Sequence, residues 1–322
     1  MVSVTYDAAD MAGTSAFSLA HISDPHISCM ADIRFGDLLG KRFFGYLKWR
    51  LHRRAEHRDS ILAALQHDLA DTKPDHIAVT GDLTHLSLPA EFRKTRQWLE
   101  SLGTHGKVTV IPGNHDTYVK TVWQQTLAHW TDYMLSDDAD IGDNPASGFD
   151  SIFPSLRVRG RIALIGVCTA LPTVPHLAVG TIGDRQLQKL ETLLAHTADR
   201  NLFRVLLIHH PPAPGTVSWR KRLTDAPALQ SLLARYGAEL VLHGHAHKTD
   251  LGKLKTPDGH AAVIGVPSAS ALGRTPQRRA RYFTYHIRPR TSGWQLRLAV
   301  RVYSPDKNRF MTEHEHPFSR LP

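Results

Sequence analysis

The sequence is poor in cysteine and has no long apolar run. Its two cysteines among 322 residues, Cys29 and Cys168, lie in unrelated contexts. Neither a disulfide framework nor a thiolate metal site is therefore indicated. No run approaches the roughly 18 apolar residues that span a bilayer, and the first twenty residues lack the basic start of a signal peptide. We therefore expect a cytoplasmic protein without a transmembrane helix.

Acidic residues are also scarce relative to basic ones. Thirty aspartates and glutamates face 39 lysines and arginines, which gives a formal net charge of +9. This excess favours anionic partners such as nucleic acid, anionic lipid headgroups or phosphorylated small molecules. Much of it lies in two stretches, residues 41–58 and 274–281. We interpret the second stretch as a solvated loop, with contact to a substrate phosphate as the alternative.

Short apolar runs alternate with helical patterns along most of the chain. The predicted strands cover residues 17–22, 76–80, 107–111, 161–168, 203–208 and 239–242. The predicted helices cover residues 59–70, 89–102, 184–197 and 226–236. Apolar runs of this length, without polar alternation, are typical of strands buried on both faces. Strands that alternate with helices predict an α/β architecture.

The pattern changes after His247, where short β-like runs follow one another without a helix. They cover residues 261–266, 282–287 and 294–302, and we expect them to complete a second sheet. The predicted fold is thus an α/β two-sheet sandwich flanked by helices. It forms a single domain over residues 1–322 and has a β-rich part at about 260–303.

Residues 29–58, which we call the cap segment, interrupt the alternation of strands and helices. They combine many cations with phenylalanine, leucine, tyrosine and tryptophan. One interpretation is an amphipathic cap that packs over neighbouring polar loops or lies on an anionic membrane surface. The other is a capping hairpin whose aromatic residues fill a local core.

Five short polar clusters each follow an apolar run. They are Asp24-Pro25-His26, Gly81-Asp82, Gly113-Asn114-His115-Asp116, His209-His210-Pro211-Pro212 and Gly244-His245-Ala246-His247. Ligands gather beyond the carboxyl ends of buried strands, so we expect all five clusters at one rim of the fold. Carboxylate, amide oxygen and neutral imidazole are ligands that divalent metal ions prefer. The five clusters together predict one site for two metal ions.

Individual residue types suit different parts of such a site. The two oxygens of the Asp82 carboxylate can bridge two ions, although an isolated aspartate at this position would suit a turn or a helix N-cap. His245 and His247 alternate in an extended loop and therefore point to the same side. At the end of the fifth predicted strand, either His209 or His210, or both, can face a metal.

The cluster Asn114-His115-Asp116 offers two further functions. Asn114 can supply a neutral amide oxygen to an ion without adding negative charge that would repel phosphate. The imidazole of His115, oriented or kept protonated by the carboxylate of Asp116, can stabilise charge on a phosphoryl oxygen or protonate a leaving group.

These clusters, in this order, resemble the signature of the calcineurin-like metallophosphoesterases over about residues 17–270. The resemblance implies that one metal ion is held by Asp24, His26, Asp82 and His247. It implies that the second ion is held by Asp82, Asn114, His209 and His245. It selects His209 over His210, and it assigns transition-state stabilisation or leaving-group protonation to His115 with support from Asp116.

Two metal ions in such a site imply hydrolysis of a phosphate ester or phosphoanhydride. A pair about 3.5 to 4 Å apart can activate a bridging water as hydroxide for in-line attack on phosphorus. Mixed oxygen and nitrogen sites accept manganese, iron, zinc or cobalt, so the identity of the ions stays open.

The substrate class is narrowed by residues 81–92, where Asp-Leu-Thr is followed by Pro-Ala-Glu-Phe. This stretch resembles the bacterial phosphodiesterase branch of the family. We expect a small or lipid-linked phosphodiester or pyrophosphate as substrate. The alternatives are the pyrophosphate of UDP-diacylglucosamine in lipid A synthesis, a cyclic nucleotide, and nucleic acid.

Two further interpretations follow from charge and from the ligand residues. The basic, aromatic residues 41–58 suit an amphiphilic substrate presented at the inner membrane surface, where cationic and apolar contacts add. Nucleic acid ranks lower as a partner because the sequence contains no recognisable nucleic-acid-binding module. A non-enzymatic interaction scaffold is disfavoured because no ligand residue of the family pattern is missing.

Overall fold

The structure is a computed structural model that describes residues 16–30, 33–137, 151–291 and 293–318. Twelve strands are present in these ranges: β1 Phe17–Ile22, β2 His76–Thr80, β3 Val108–Ile111, β4 Ser155–Arg159, β5 Ile162–Gly166, β6 Phe203–Leu207, β7 Leu240–His243, β8 Asp250–Thr256, β9 Gly259–Gly265, β10 Arg281–Arg290, β11 Gly293–Ser304 and β12 Arg309–Phe318. The α-helices are α1 Lys41–Lys48, α2 Arg54–Glu56, α3 Asp59–Thr72, α4 Pro89–Leu102, α5 Thr131–Met134, α6 Asp184–Asp199 and α7 Ala226–Tyr236.

The strands form two six-stranded mixed sheets. The first has the order β12-β11-β10-β1-β2-β3, and the second has the order β4-β5-β6-β7-β9-β8. Strands β1, β2 and β3 are parallel to one another, as are β5, β6, β7 and β9. The carboxyl ends of these parallel strands therefore lie at common edges of their sheets, where ligand-binding loops are expected.

Side chains of the central strands alternate between two hydrophobic cores. In β6, Val205 and Leu207 belong to a core that contains residues of both sheets. Leu206 and the following Ile208 belong to a second core, together with residues of α6 and α7. Because both faces of the strand are covered, its sequence is continuously apolar.

The α/β two-sheet sandwich is confirmed, with one correction for the C-terminal strands. Strand β9 joins the second sheet, but β10, β11 and β12 extend the first sheet through pairing of β10 with β1. The prediction that these runs complete a second sheet is therefore wrong for β10 and β11. The pairing of Phe17 with Ile287 joins residues far apart in sequence, which no local pattern specifies.

The cap segment is helical, so the hairpin interpretation is wrong. It contains a 3₁₀ turn at Phe35–Leu38, helix α1, a π-helical turn at Trp49–Arg53 and helix α2. Its apolar side chains do not fill a local core, since Phe35 is 86% exposed and Phe44 is 56% exposed. Within the described ranges, a membrane-spanning helix is absent, because none combines the necessary length with apolar composition.

The middle and the end of the cap segment contact the two-sheet body. In α1, the guanidinium of Arg42 donates to the carbonyl oxygens of Leu86 and Ser87 at 3.0 and 2.6 Å. Near its end, His57 Nδ1 lies 2.8 Å from Ser270 Oγ, and the Leu272 amide donates to the Glu56 carbonyl. The cap segment is thus held against the loops that follow β2 and β9.

Candidate metal centre

The structure brings all the predicted ligand residues to one place. Each lies in the last residues of a strand or in the loop that follows it, after β1, β2, β3, β6 and β7. The loops of the two sheets meet here: the His245 amide donates to Asp24 Oδ2 at 3.0 Å, and His209 Nδ1 lies 2.7 Å from the Thr80 carbonyl oxygen. Ends of parallel strands from both sheets therefore form one rim.

The first group of ligand atoms comes from Asp24, His26, Asp82 and His247. One ligand atom of each lies within 4.8 Å of those of the others. His247 Nε2 is 3.0 Å from Asp24 Oδ1 and 3.1 Å from His26 Nε2. Two carboxylates and two imidazoles around one point form a donor set that suits a divalent transition-metal ion.

The second group comes from Asp82, His209 and His245, whose ligand atoms also lie within 4.8 Å of one another. Asn114 joins this group, because its Oδ1 is 3.2 Å from His209 Nε2. His210 does not face the group through Nδ1, which lies 2.7 Å from Thr169 Oγ1. The geometry thus agrees with the selection of His209 over His210.

Asp82 is shared by the two groups through different oxygens. Its Oδ1 is 3.3 Å from His209 Nε2, and its Oδ2 is 3.9 Å from His26 Nε2. The His115 amide donates to Oδ1 at 2.7 Å and fixes the orientation of the carboxylate. A carboxylate held in this way faces both groups and could bridge two ions.

The backbone at these residues is unusual. Asp24, His26, Asp82, His245 and His247 all have positive φ, between 46° and 66°. They make up five of the ten non-glycine residues in the described ranges with this left-handed conformation, which costs side chains free energy. Such strain concentrates at functional sites, where the surrounding structure holds it in place.

Two glycines allow the loops to approach so closely. A Cβ on Gly81 would lie 2.6 Å from His209 Nδ1, and Gly81 has a φ of 93°. A Cβ on Gly113 would overlap Asp82 Oδ1 and lie 2.7 Å from His209 Cε1. Any side chain at Gly113 would therefore displace the shared carboxylate.

The residues present fit a pair of metal ions. Asp24 Oδ1 is buried and, within the described part of the chain, accepts no hydrogen bond although His247 Nε2 lies 3.0 Å away. Buried oxygens of this kind are normally satisfied. Burial, together with neighbouring imidazoles, holds the pKa of His26 and of His245 well below the ordinary value. Neutral imidazole is the form that binds a metal ion.

His209 behaves differently from the other imidazoles of the site. Burial by itself lowers its pKa, but the charge of Asp82 and the hydrogen bond to it raise the pKa to about 9. Without an ion, a proton on His209 thus supplies the positive charge beside Asp82. A metal ion would displace that proton.

Asp116 does not support His115 in the predicted way. Its carboxylate accepts hydrogen bonds from the amides of Leu83, Thr84 and Gly113 and from Thr84 Oγ1. His115 Nδ1 instead lies 2.7 Å from the His85 carbonyl oxygen. The predicted contact between carboxylate and imidazole is therefore wrong, and Asp116 joins the loops after β2 and β3.

His115 has a cationic neighbour that the sequence analysis did not assign to the site. Arg53 Nη1 is 3.1 Å from His115 Nε2. Burial, with a smaller contribution from the charge of Arg53, lowers the pKa of His115 to about 3. The neutral imidazole then donates from Nδ1 to the His85 carbonyl and accepts at Nε2 from Arg53.

Two histidines near the site were also missed. His85 groups with His26 and His115, and His57 groups with His26 and His247. His85 lies three residues after Asp82, and this spacing is a local signal that points to the site. His57 carries no such signal, because it ends the cap segment and meets the site only through tertiary structure.

A cavity of about 780 Å³ opens above the two groups. Its floor includes Asp82, Asn114, His115, His245 and His247. The cap segment forms one wall, and residues 175–178 together with Ser218, Arg220 and Lys221 also line the cavity. The cap segment therefore lies over the candidate metal centre and lines the space in which a substrate would sit.

Known proteins resemble this chain in sequence. It is 25% identical over 240 residues to a probable cyclic nucleotide phosphodiesterase of Synechococcus, covering 73% of this chain and 80% of the relative. It is 25% identical over 244 residues to a 3′,5′-cyclic adenosine monophosphate phosphodiesterase of Escherichia coli, covering 74% of this chain and 72% of the relative.

The fold and the family are shown by two further comparisons. A dimetal phosphatase from Danio rerio superposes with a TM-score of 0.59 at 13% identity, over 93% of this chain and 99% of the other. The family model described as calcineurin-like phosphoesterase matches residues 17–249. The predicted metal-dependent phosphoester hydrolase is therefore confirmed, and the chain belongs to the calcineurin-like phosphoesterase family.

Proposed function

We propose that this protein is a phosphodiesterase whose two metal ions share Asp82. The observation that carries the proposal is the orientation of the Asp82 carboxylate, with one oxygen toward His209 and the other toward His26. The first ion would be held by Asp24, His26, Asp82 and His247. The second ion would be held by Asp82, Asn114, His209 and His245. Manganese, iron, zinc and cobalt all suit this donor set.

When bound, the two ions would supply Lewis acidity and an activated water nucleophile for in-line displacement at phosphorus. The chain itself positions the phosphoryl group. His115 and Arg53 face each other at 3.1 Å on the floor of the cavity. An anionic phosphoryl oxygen that replaces this direct contact would accept from the guanidinium, and its charge would favour protonation of the imidazole. His115 Nε2 would then donate to the phosphoryl or leaving-group oxygen.

The proposed substrate is a small or lipid-linked phosphodiester or pyrophosphate. The named activities of the sequence relatives support a cyclic nucleotide within this class. A lipid-linked substrate is supported by the apolar cavity wall, where Phe44, Leu47 and Leu51 of the cap segment are 45 to 65% exposed. Apolar side chains beside a polar floor suit a molecule with one phosphorylated and one apolar end.

The hydrolase proposal is tested with bis(p-nitrophenyl) phosphate and added manganese. Asp82→Ala removes the shared carboxylate and should lower kcat/KM by more than the roughly 100-fold that follows loss of an outer partner. Asp258→Ala, an exposed acid in the turn between β8 and β9, should retain activity. Turnover by the Asp82→Ala protein at the wild-type rate would contradict the proposal. A panel of cyclic nucleotides, glycerophosphodiesters, a UDP-linked lipid and DNA would then rank the substrates.

The exposed side of the cap segment supports a cytoplasmic enzyme that acts at the inner membrane surface. Phe35, Leu39 and Phe43 are 86, 68 and 50% exposed, and exposed cations such as Arg50 and Arg54 lie nearby in the sequence. Apolar side chains interleaved with cations favour an anionic bilayer surface, because hydrophobic and electrostatic attraction add there.

Vesicle sedimentation tests this membrane contact. The wild type should bind vesicles that contain phosphatidylserine, and Phe35→Ser/Phe43→Ser should reduce binding at least about tenfold, given the free energy of burying one such side chain. The matched control Val174→Ser, at another exposed apolar residue, should bind like the wild type. Equal sedimentation with neutral vesicles, or with none, would reject the membrane contact and leave the hydrolase proposal intact.

A further inference from the structure

The cavity above the metal centre contains more positive charge than a phosphodiester requires. Its lining includes the cations Lys41, Lys48, Arg53, Arg220, Lys221 and Arg278, against one carboxylate, that of Asp82. Three of these cations come from the cap segment, and the others come from loops on the body of the fold. The charge is thus assembled from separate parts of the chain around one space.

Four of these cations are close to one another, and the carboxylates that attract Arg53 and Lys221 electrostatically are Asp82 and Asp24 of the candidate metal centre. Across the described ranges, Lys48, Arg53, Lys221 and Arg278 form no ion pair with a carboxylate. Repulsion from Arg53, followed by burial, lowers the pKa of Lys48. Burial, followed by repulsion from Arg53, lowers the pKa of Lys221, and Arg278 adds to this repulsion.

Two buried arginines elsewhere in the protein are paired with glutamates. Arg204 forms an ion pair with Glu239 at 2.6 Å, and Arg281 forms one with Glu313 at 2.8 Å. Both arginines are buried, and their ion pairs stabilise the fold. The cavity cations differ, because their mutual repulsion destabilises the protein until an anion lies among them.

Their contacts with the site show where such an anion would lie. Arg53 reaches His115 Nε2 at 3.1 Å, and the Lys221 carbonyl oxygen lies 3.1 Å from His245 Nε2. The residues that carry these cations therefore lie at the edge of the candidate metal centre, beside the loops after β3 and β7. A group held by them would be a neighbour of the phosphoryl group that reacts.

Charge counting indicates what that group is. Two divalent ions would bring four positive charges, and Asp24, Asp82 and an activated hydroxide would offset three of them. The remaining charge balances the single negative charge of a phosphodiester, and Arg53 already serves the phosphoryl group that reacts. Lys48, Lys221 and Arg278 are therefore surplus for a substrate with one phosphodiester group, such as a cyclic nucleotide, but they match the charge of a second phosphate.

We propose that Lys48, Lys221 and Arg278, beside Arg53, form a second anion site for a phosphate group next to the one that is hydrolysed. The substrate class is then a pyrophosphate or a phosphodiester that carries a second phosphate group. Arginine and lysine both recognise phosphate through charge-assisted hydrogen bonds. This inference rests on the proposed hydrolase function and narrows its substrate.

Competitive inhibition of bis(p-nitrophenyl) phosphate hydrolysis tests the second site. The probes are AMP, with one phosphate, and adenosine 3′,5′-bisphosphate, with two, each measured on the manganese-loaded protein and checked by calorimetric binding. The wild type should prefer the bisphosphate by about ten- to hundredfold, as expected for new hydrogen bonds between charged groups. Lys48→Met/Lys221→Met should reduce this preference to near one.

The control is Lys253→Met/Lys255→Met, which makes the same change in net charge at two exposed residues of β8. It should retain the preference. Arg278→Met, at an exposed residue, should lower the preference even if the double variant of the cavity does not fold. Equal affinity of the wild type for the two probes, or a preference that survives in the cavity variants, would overturn the inference. Failure of the wild type to hydrolyse bis(p-nitrophenyl) phosphate would instead refute the proposed function.

Discussion

The loops at the strand ends and the cap segment hold their charged side chains in opposite ways. Asp24, Asp82 and Asp116 are buried, and several backbone amides of neighbouring loops donate to them. In the described ranges, the cap cations Lys41, Lys48 and Arg53 line an open cavity and form no ion pair with a carboxylate. The loops fix atoms for one reaction, whereas the cap segment leaves its charge available for a ligand. In this fold, reactivity and substrate choice thus belong to regions with different physical character.

The same substitution in the two regions should give the largest contrast. Gly113→Ala would place a methyl group on Asp82 Oδ1, so we expect manganese affinity and kcat/KM to fall by more than about 100-fold. Gly36→Ala in the cap segment meets no atom within 4 Å and should leave both unchanged. Calorimetric titration with manganese and steady-state kinetics provide the measurements. Comparable behaviour of the two variants would remove the contrast.

A smaller effect is expected from removal of the Asp116 carboxylate, which joins the loops after β2 and β3. Asp116→Ala leaves the buried amides of Leu83, Thr84 and Gly113 without their acceptor. We expect a loss of roughly 3–5 kcal/mol in the free energy of unfolding, since each unsatisfied buried donor costs about 1–3 kcal/mol. Asp116→Asn retains one acceptor oxygen and should lose less. Urea unfolding measures this free energy. If Asp116→Ala lost no more unfolding free energy than an ordinary surface variant, the role of Asp116 in joining the loops would be contradicted.

The effect that is smallest for each single step of the experiment, one pH unit, concerns the dependence of stability on pH. Burial, aided by Arg159 and Arg157, lowers the pKa of His76 in β2 to about 3. An unfolded histidine titrates near pH 6.5, so below that pH the unfolded chain binds a proton that the folded protein does not. Stability therefore falls as the pH drops from about 6.5 to about 3, by up to about 1.4 kcal/mol per pH unit for this residue.

His76→Gln should remove this contribution, so the unfolding free energy of the variant should fall less steeply than that of the wild type between pH 6.5 and 4. His52→Gln is the matched control, because it makes the same substitution at an exposed side chain of the cap segment. Parallel curves for His76→Gln and the wild type would show that His76 gains a proton without a penalty.

Much of the strand and helix pattern was predictable from the sequence, because buried strands and amphipathic helices leave local patterns. Helices α4 and α7 have the predicted bounds. Strands β4, β8 and β12 were not predicted. In β8, more exposed residues alternate with less exposed ones, and several of its side chains are charged. Such a mixed pattern resembles a loop.

The candidate site was partly predictable for the same reason. The polar clusters that follow apolar strands identify residues such as Asp24 and His209, because strand ends share an edge. The sequence could not reveal that Asp116 contacts amides rather than His115, since that depends on the path of two loops. It also could not place Arg53, which reaches His115 only because the cap segment is helical and folds back over the cavity.

The attachment of the cap segment at two places has a consequence for how molecules reach the cavity. Arg42 holds its middle against the loop after β2, and Glu56 and His57 hold its end against residues 270–272. A swing of the whole segment would break both sets of contacts together. A ligand would therefore reach the floor past a fixed wall, whose apolar side chains would contact any apolar tail that the ligand carries.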